Sequence, residues 1–158
     1  MYLVLKLIHV LAVIVFVGNI TVGIFWKLYA DRTRNPQIIA HTVDGIIRAD
    51  RIFTIPAIIV LLIGGFGAAA TAQLNPLTTG WILWGLGFFI VAGICFGPLS
   101  RTQRTLRDLA QQAAQSGTMD WARYEQLSNR WRLFGSIATI APILAVVVMV
   151  LKPALPAF

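Results

Sequence analysis

Residues 3–26 read LVLKLIHVLAVIVFVGNITVGIFW, a run apolar enough to cross a bilayer that nevertheless holds His9 and Asn19. A helix rises about 1.5 Å per residue, so about 20 apolar residues span the hydrocarbon core. The run is roughly twice the length of a signal-peptide apolar region, which has about 7–15 residues, and no A-x-A-like cleavage site follows it; it reads as a retained span. Residues 52–72, 81–99 and 133–151 have the same character. Of the 158 residues, 58% are hydrophobic and 12% charged, against about 45–50% and about 25% in soluble domains. The sequence therefore predicts an all-α, four-transmembrane-helix bundle forming a single membrane domain over residues 1–158, with the lipid bilayer as its first partner.

The formal net charge is +7, and its distribution explains it. Lys27, Arg32, Arg34, Arg48 and Arg51 fall between the first two spans; Arg101, Arg104, Arg107, Arg123, Arg130 and Arg132 fall between the last two. Eleven of the thirteen Lys and Arg residues thus lie in two loops on the same side of a four-span chain. Lys and Arg accumulate in cytoplasmic loops. The expectation is a multi-pass protein of the bacterial cytoplasmic (inner) membrane with both termini outside, and no nucleic-acid partner. Trp26, Tyr29, Trp121 and Trp131 would form an aromatic belt at the cytoplasmic edge, and Tyr2, Trp81 and Trp84 one at the outer edge. The single cysteine, Cys95, excludes an internal disulfide.

Both basic segments carry helix signals, predicting helical extensions over 36–51 and 100–132. Asn35-Pro36 resembles an N-cap followed by proline at the first helical position, and Asp44 and Arg48 are spaced for an ion pair along the helix. Leu99, Thr102, Leu106, Leu109 and Ala113 share one stripe. Trp121, Tyr124, Leu127/Ser128, Trp131 and Phe134/Gly135 share another. Ser116-Gly117-Thr118 between them reads as a C-cap glycine and a new N-cap, giving a helical cytoplasmic hairpin between spans three and four. Pro56 and Pro142 are expected to kink their spans, and Gly93 with Gly97 forms a small-xxx-small pair suited to close helix approach.

On the first helix, His9, Ala12, Phe16, Asn19, Gly23 and Trp26 follow steps of three and four and share one stripe. Polar groups in hydrocarbon are costly, so this stripe should face the bundle interior. His9 has three readings: a hydrogen bond to a carbonyl freed by a kink, a metal or haem-iron ligand, or proton transfer. His41 lies at the opposite membrane face, which excludes a bis-histidine haem within one subunit. Asp50 is expected to pair with a neighbouring arginine. No span carries a catalytic cluster, so the reading leans away from an enzyme. A transporter would need a continuous polar cavity lined by Asn19, Thr21 and Thr139.

LKLIHVLAVIVFVGN at the start, RADRIFTIPAIIVLLIGG in the middle and APILAVVVMVLKP near the end resemble the bacterial predicted integral membrane family known as domain of unknown function 2269. More distantly, the chain is similar to the bacterial membrane protoporphyrinogen oxidase family. The features shared with it are the first-helix His9, Arg48 and Arg51 ahead of Pro56, and Lys152-Pro153. That family's third-helix lysine and histidine have no counterpart in WILWGLGFFIVAGICFGP, nor does its Asn-Glu before the last proline, where Thr139 and Ile140 stand. Stripe and resemblance together nominate His9, Asn19, Arg48 and Arg51 as cofactor-binding residues, with His9 as metal ligand and haem b as the implied cofactor. The expected role is a non-enzymatic accessory subunit, in a homo-oligomer or larger membrane complex, or a haem or metal binder. A tetrapyrrole-handling oxidoreductase and a small transporter are the alternatives.

Overall fold

The computed structural model of the chain describes residues 1–157. Helix α1 covers Tyr2–Arg32. Helix α2 (Pro36–Ala49), a π-helical turn (Asp50–Thr54) and helix α3 (Ile55–Thr71) follow as one continuous rod. Helix α4 covers Gly80–Ser116 and helix α5 Trp121–Leu151. The four rods are each long and apolar enough to cross a membrane, as the sequence predicts.

Local chemistry sets the breaks. The Asn35 side chain accepts from the amides of Gln37 and Ile38, and Pro36 opens α2. Gly117 closes α4 at φ +75°, the left-handed region that favours glycine. The cap of α5 is not the expected Thr118 but Asp120, whose carboxylate accepts from the Arg123 amide at 3.0 Å. α4 runs unbroken through Pro98, and α5 through Pro142. The second span instead takes up its proline with the π turn immediately before Pro56, where a wider turn accommodates the missing donor.

The rods form two pairs. α1 packs along α3, and α4 along α5, whereas no Cα of α3 comes within 8 Å of any in α4 or α5. The pairs are joined through α2, which lies against α4, and where α1 approaches α5. These joints lie at the basic end, where Ile39, Val43 and Ile47 of α2 meet Leu99, Leu106 and Ala110 of α4 and Tyr124 and Trp131 of α5 in one buried cluster. At the other end, which carries both termini, the tail folds back on α4. Trp84 Nε1 donates to the Pro156 carbonyl at 3.2 Å.

Glycines set the α1–α3 contact, but not the pair expected. A Cβ on Gly64 would lie 3.0 Å from the His9 amide nitrogen and 3.2 Å from its Cα. Gly93 and Gly97 are exposed, and a Cβ on either would meet nothing within 4 Å. Close approach therefore falls at Gly64, where backbone rides on backbone. Gly64→Val should cost about 1–3 kcal/mol of stability by overpacking, whereas Gly93→Val should stay within about 0.5 kcal/mol; thermal unfolding in detergent measures both.

Candidate functional site: two cavities and a buried polar network

The helix pairs are joined mainly at the basic end, and toward the termini a cavity of about 500 Å³ lies between them. Its walls are largely aliphatic and aromatic, including Val13, Phe66, Leu86 and Met149, and its polar lining includes Tyr2, Lys6, His9 and Lys152. Lys6 lies over the Tyr2 ring and Lys152 over the Trp81 ring. His9 Nδ1 sits 2.8 Å from the Leu61 carbonyl. A carbonyl only accepts, so Nδ1 carries the proton. Nε2 has no protein partner among the described residues. The imidazole lies so close to α3 that a Cβ on Gly65 would come within 2.9 Å of Nδ1 and Cε1. Gly65 is thus the residue that lets the ring reach Leu61.

A second, smaller cavity of about 160 Å³ lies nearer the basic end. Phe16 and Phe89 line both cavities and meet edge to face between them, with ring centroids 5.9 Å apart. The polar wall of the smaller cavity includes Asn19, Asp50, Gln103, Trp131 and Thr139. Asp50 Oδ1 accepts from Thr54 Oγ1 at 2.9 Å and from Asn19 Nδ2 at 3.3 Å. Its Oδ2 accepts from Gln103 Nε2 at 3.3 Å, and Gln103 Oε1 accepts from Trp131 Nε1 at 3.1 Å. Asn19 also donates to Thr54 Oγ1 at 2.8 Å.

On the other side of Trp131 lies a buried amine. Lys27 is 1% exposed. Its Nζ donates to Asp31 Oδ2 at 2.6 Å and to Ser128 Oγ at 2.5 Å, and sits 5.2 Å and 5.1 Å from the ring centroids of Tyr124 and Trp131. Tyr124 donates its hydroxyl to Asp31 Oδ1 at 2.5 Å, and Ser128 donates to Asp31 Oδ2 at 3.0 Å. Burial, then the hydrogen bond to Asp31, push the Tyr124 phenol above its ordinary range, so it remains a donor. A charge this deep is stable only when paired and hydrogen-bonded, and here it binds α1 to α5.

The match to known proteins agrees with this architecture. A family model described as predicted integral membrane protein (DUF2269) covers residues 3–153. The chain belongs to that family. No curated protein and no solved structure matches it.

The nominated residues separate in space. His9 lines the large cavity, and Asn19 lies about 15 Å further along α1, against Asp50 and Thr54. Arg48 is exposed and pairs with Asp44 at 2.8 Å, as its spacing predicts; Arg51 is exposed. The structure brings neither arginine to His9. Three expectations need correction. Asp50 has no arginine partner among the described residues and is held by neutral donors instead. Trp131 is 3% exposed and belongs to the buried network rather than an interfacial belt. Trp26, placed on the inward stripe, is exposed, and Lys27 takes the inward position beside it. Of the three residues nominated for a transporter's polar cavity, Thr21 is exposed and bonds the Val17 carbonyl of its own helix, while Asn19 and Thr139 line a cavity walled mainly by apolar residues.

Sequence reasoning missed Lys27, Asp31, Gln103 and Ser128. Two signals pointed to them: the four-residue spacing of Lys27 and Asp31 on α1, and the inward stripe of Tyr124, Ser128 and Trp131 on α5. Lys27→Met strands the Asp31 carboxylate and should cost about 3–5 kcal/mol. Arg34→Ala, which breaks an exposed pair with Glu125, should cost less than about 1 kcal/mol. Thermal unfolding of the two variants in detergent tests the contrast.

Proposed function

We propose that this membrane protein binds an amphipathic, anionic ligand in the large cavity between its helix pairs, and that haem b, bound through His9, is that ligand. The observation that carries the reading is the state of His9. Its Nδ1–H is fixed on the Leu61 carbonyl, its Nε2 has no protein partner among the described residues, and the residue lines a cavity of about 500 Å³. A ligating imidazole is commonly held in this way, one nitrogen oriented by a backbone acceptor and the other free for the metal. The volume falls within the range of small-molecule sites, about 300–1,000 Å³.

The residues present fit the group. A haem supplies four nitrogens of its own, so one histidine suffices, and no cluster of three metal-ligating side chains occurs among the described residues to favour a bare ion. The apolar walls suit a macrocycle, and Lys6 and Lys152 offer two cations for its carboxylates. Bound haem would supply redox chemistry or gas binding. The chain itself would orient the imidazole through Leu61 and exclude water through its apolar walls. Arg48 and Arg51 have no part in this site.

The role is that of a binding or accessory protein rather than an enzyme, in the bacterial inner membrane with the basic end in the cytoplasm, as the loop arginines favour. Protein purified in mild detergent from haem-replete cells, or mixed with hemin, should show a Soret band that His9→Ala shifts or abolishes and Lys27→Arg leaves in place. No Soret band in either preparation, or an identical band in His9→Ala, overturns the haem reading.

A further inference from the structure

The smaller cavity contains an acidic group with no counter-ion. Every donor to Asp50 is neutral: Thr54 from its own helix, Asn19 from α1 and Gln103 from α4. None of the ion pairs among the described residues includes it. The buried cation of the network, Lys27, is taken by Asp31 and Ser128 across Trp131. Asp50 Oδ2 accepts a single side-chain hydrogen bond, from Gln103, and so has acceptor capacity left.

The cavity that Asp50 lines also has aromatic walls. Phe16, Phe89, Phe96 and Trp131 line the same cavity. Aromatic faces attract cations, most strongly when these are desolvated. The volume, about 160 Å³, is close to that of an engineered cavity of about 150 Å³ that holds benzene, so one ring with a short substituent fits. The π turn begins at Asp50, which lines this space, and ends at Thr54, whose hydroxyl is fixed on Asp50 Oδ1. Such turns recur where helices carry function.

We propose that the smaller cavity is a binding site for a small lipophilic monocation of the aryl- or alkylammonium class. The charge sits at Asp50 and the apolar body lies against Phe16, Phe89 and Phe96. This site is separate from the His9 cavity, divided from it by the Phe16–Phe89 pair, and does not depend on the haem reading.

The test is titration calorimetry of the full chain in detergent at neutral pH with benzylammonium and with benzyl alcohol, two probes of nearly equal shape and different charge. Wild type should bind benzylammonium about tenfold or more tighter. Asp50→Asn should bring the ratio near one. Ala92→Leu, which fills the cavity and keeps the Asp50 carboxylate, should weaken both probes. His9→Ala should leave both affinities unchanged. Equal affinities in the wild type, no binding by the wild type, a preference that survives Asp50→Asn, or full binding by Ala92→Leu would each overturn the proposal. If Asp50→Asn does not fold, the wild-type ratio and Ala92→Leu decide it.

Discussion

The Lys27 ammonium, held by Asp31 and Ser128 and covered by two aromatic rings, ties α1 to α5. Helices in lipid gain no hydrophobic drive toward one another, since acyl chains are as apolar as their side chains. Association must come from close packing and polar contacts. Within each helix pair packing supplies it, as where α1 rides on Gly64. Between the pairs it falls to the basic end, where the lysine cluster, the Asp50 network and the buried face of α2 converge. A buried ammonium or carboxylate left there without hydrogen-bond partners would cost several kcal/mol, so the Lys27 and Asp31 contacts also fix the register of α1 against α5.

The cavities follow from that arrangement. Two rods joined at one end and bonded to different partners along their length separate toward the other end, and the gap is lined by whatever side chains face inward. Apolar residues dominate it, with His9 and two terminal lysines as exceptions. Where the rods converge, the gap narrows to the smaller cavity, closed from the first by two phenylalanines. Two cavities of different lining thus arise from one fold: one with His9 and two lysines near the termini, one with Asp50 and three phenylalanines near the joint.

Much of this was legible in the chain. Apolar run length set the four spans, Asn35-Pro36 set the start of α2, and the three-and-four spacing on α4 and α5 set the hairpin stripes. The stripe argument on α1 also placed Ala12 and Phe16 inward. It failed at its end because Trp26 and Lys27 are neighbours, and simple periodicity prefers to bury the aromatic one. Charge counting assigned Lys27 to a cytoplasmic loop. Asp31, four residues on, was a local signal for an ion pair, but the Ser128, Tyr124 and Trp131 groups that make its burial tolerable come from α5, about 100 residues away, and leave no local signal. Asp50 was misread for the same reason. Its arginine neighbours Arg48 and Arg51 lie on the exposed face, while two of its three donors come from 31 and 53 residues away and only Thr54 is local.

Coupling between α1 and α5 through the Asp31 carboxylate is the central claim, and a double-mutant cycle reads it directly. Asp31→Asn, Tyr124→Phe and the double variant are compared by thermal unfolding in the same detergent. Residues in one hydrogen-bonded network should show an interaction energy of about 0.5–3 kcal/mol. Strictly additive effects, within about 0.3 kcal/mol, would mean that the two helices are not held together there.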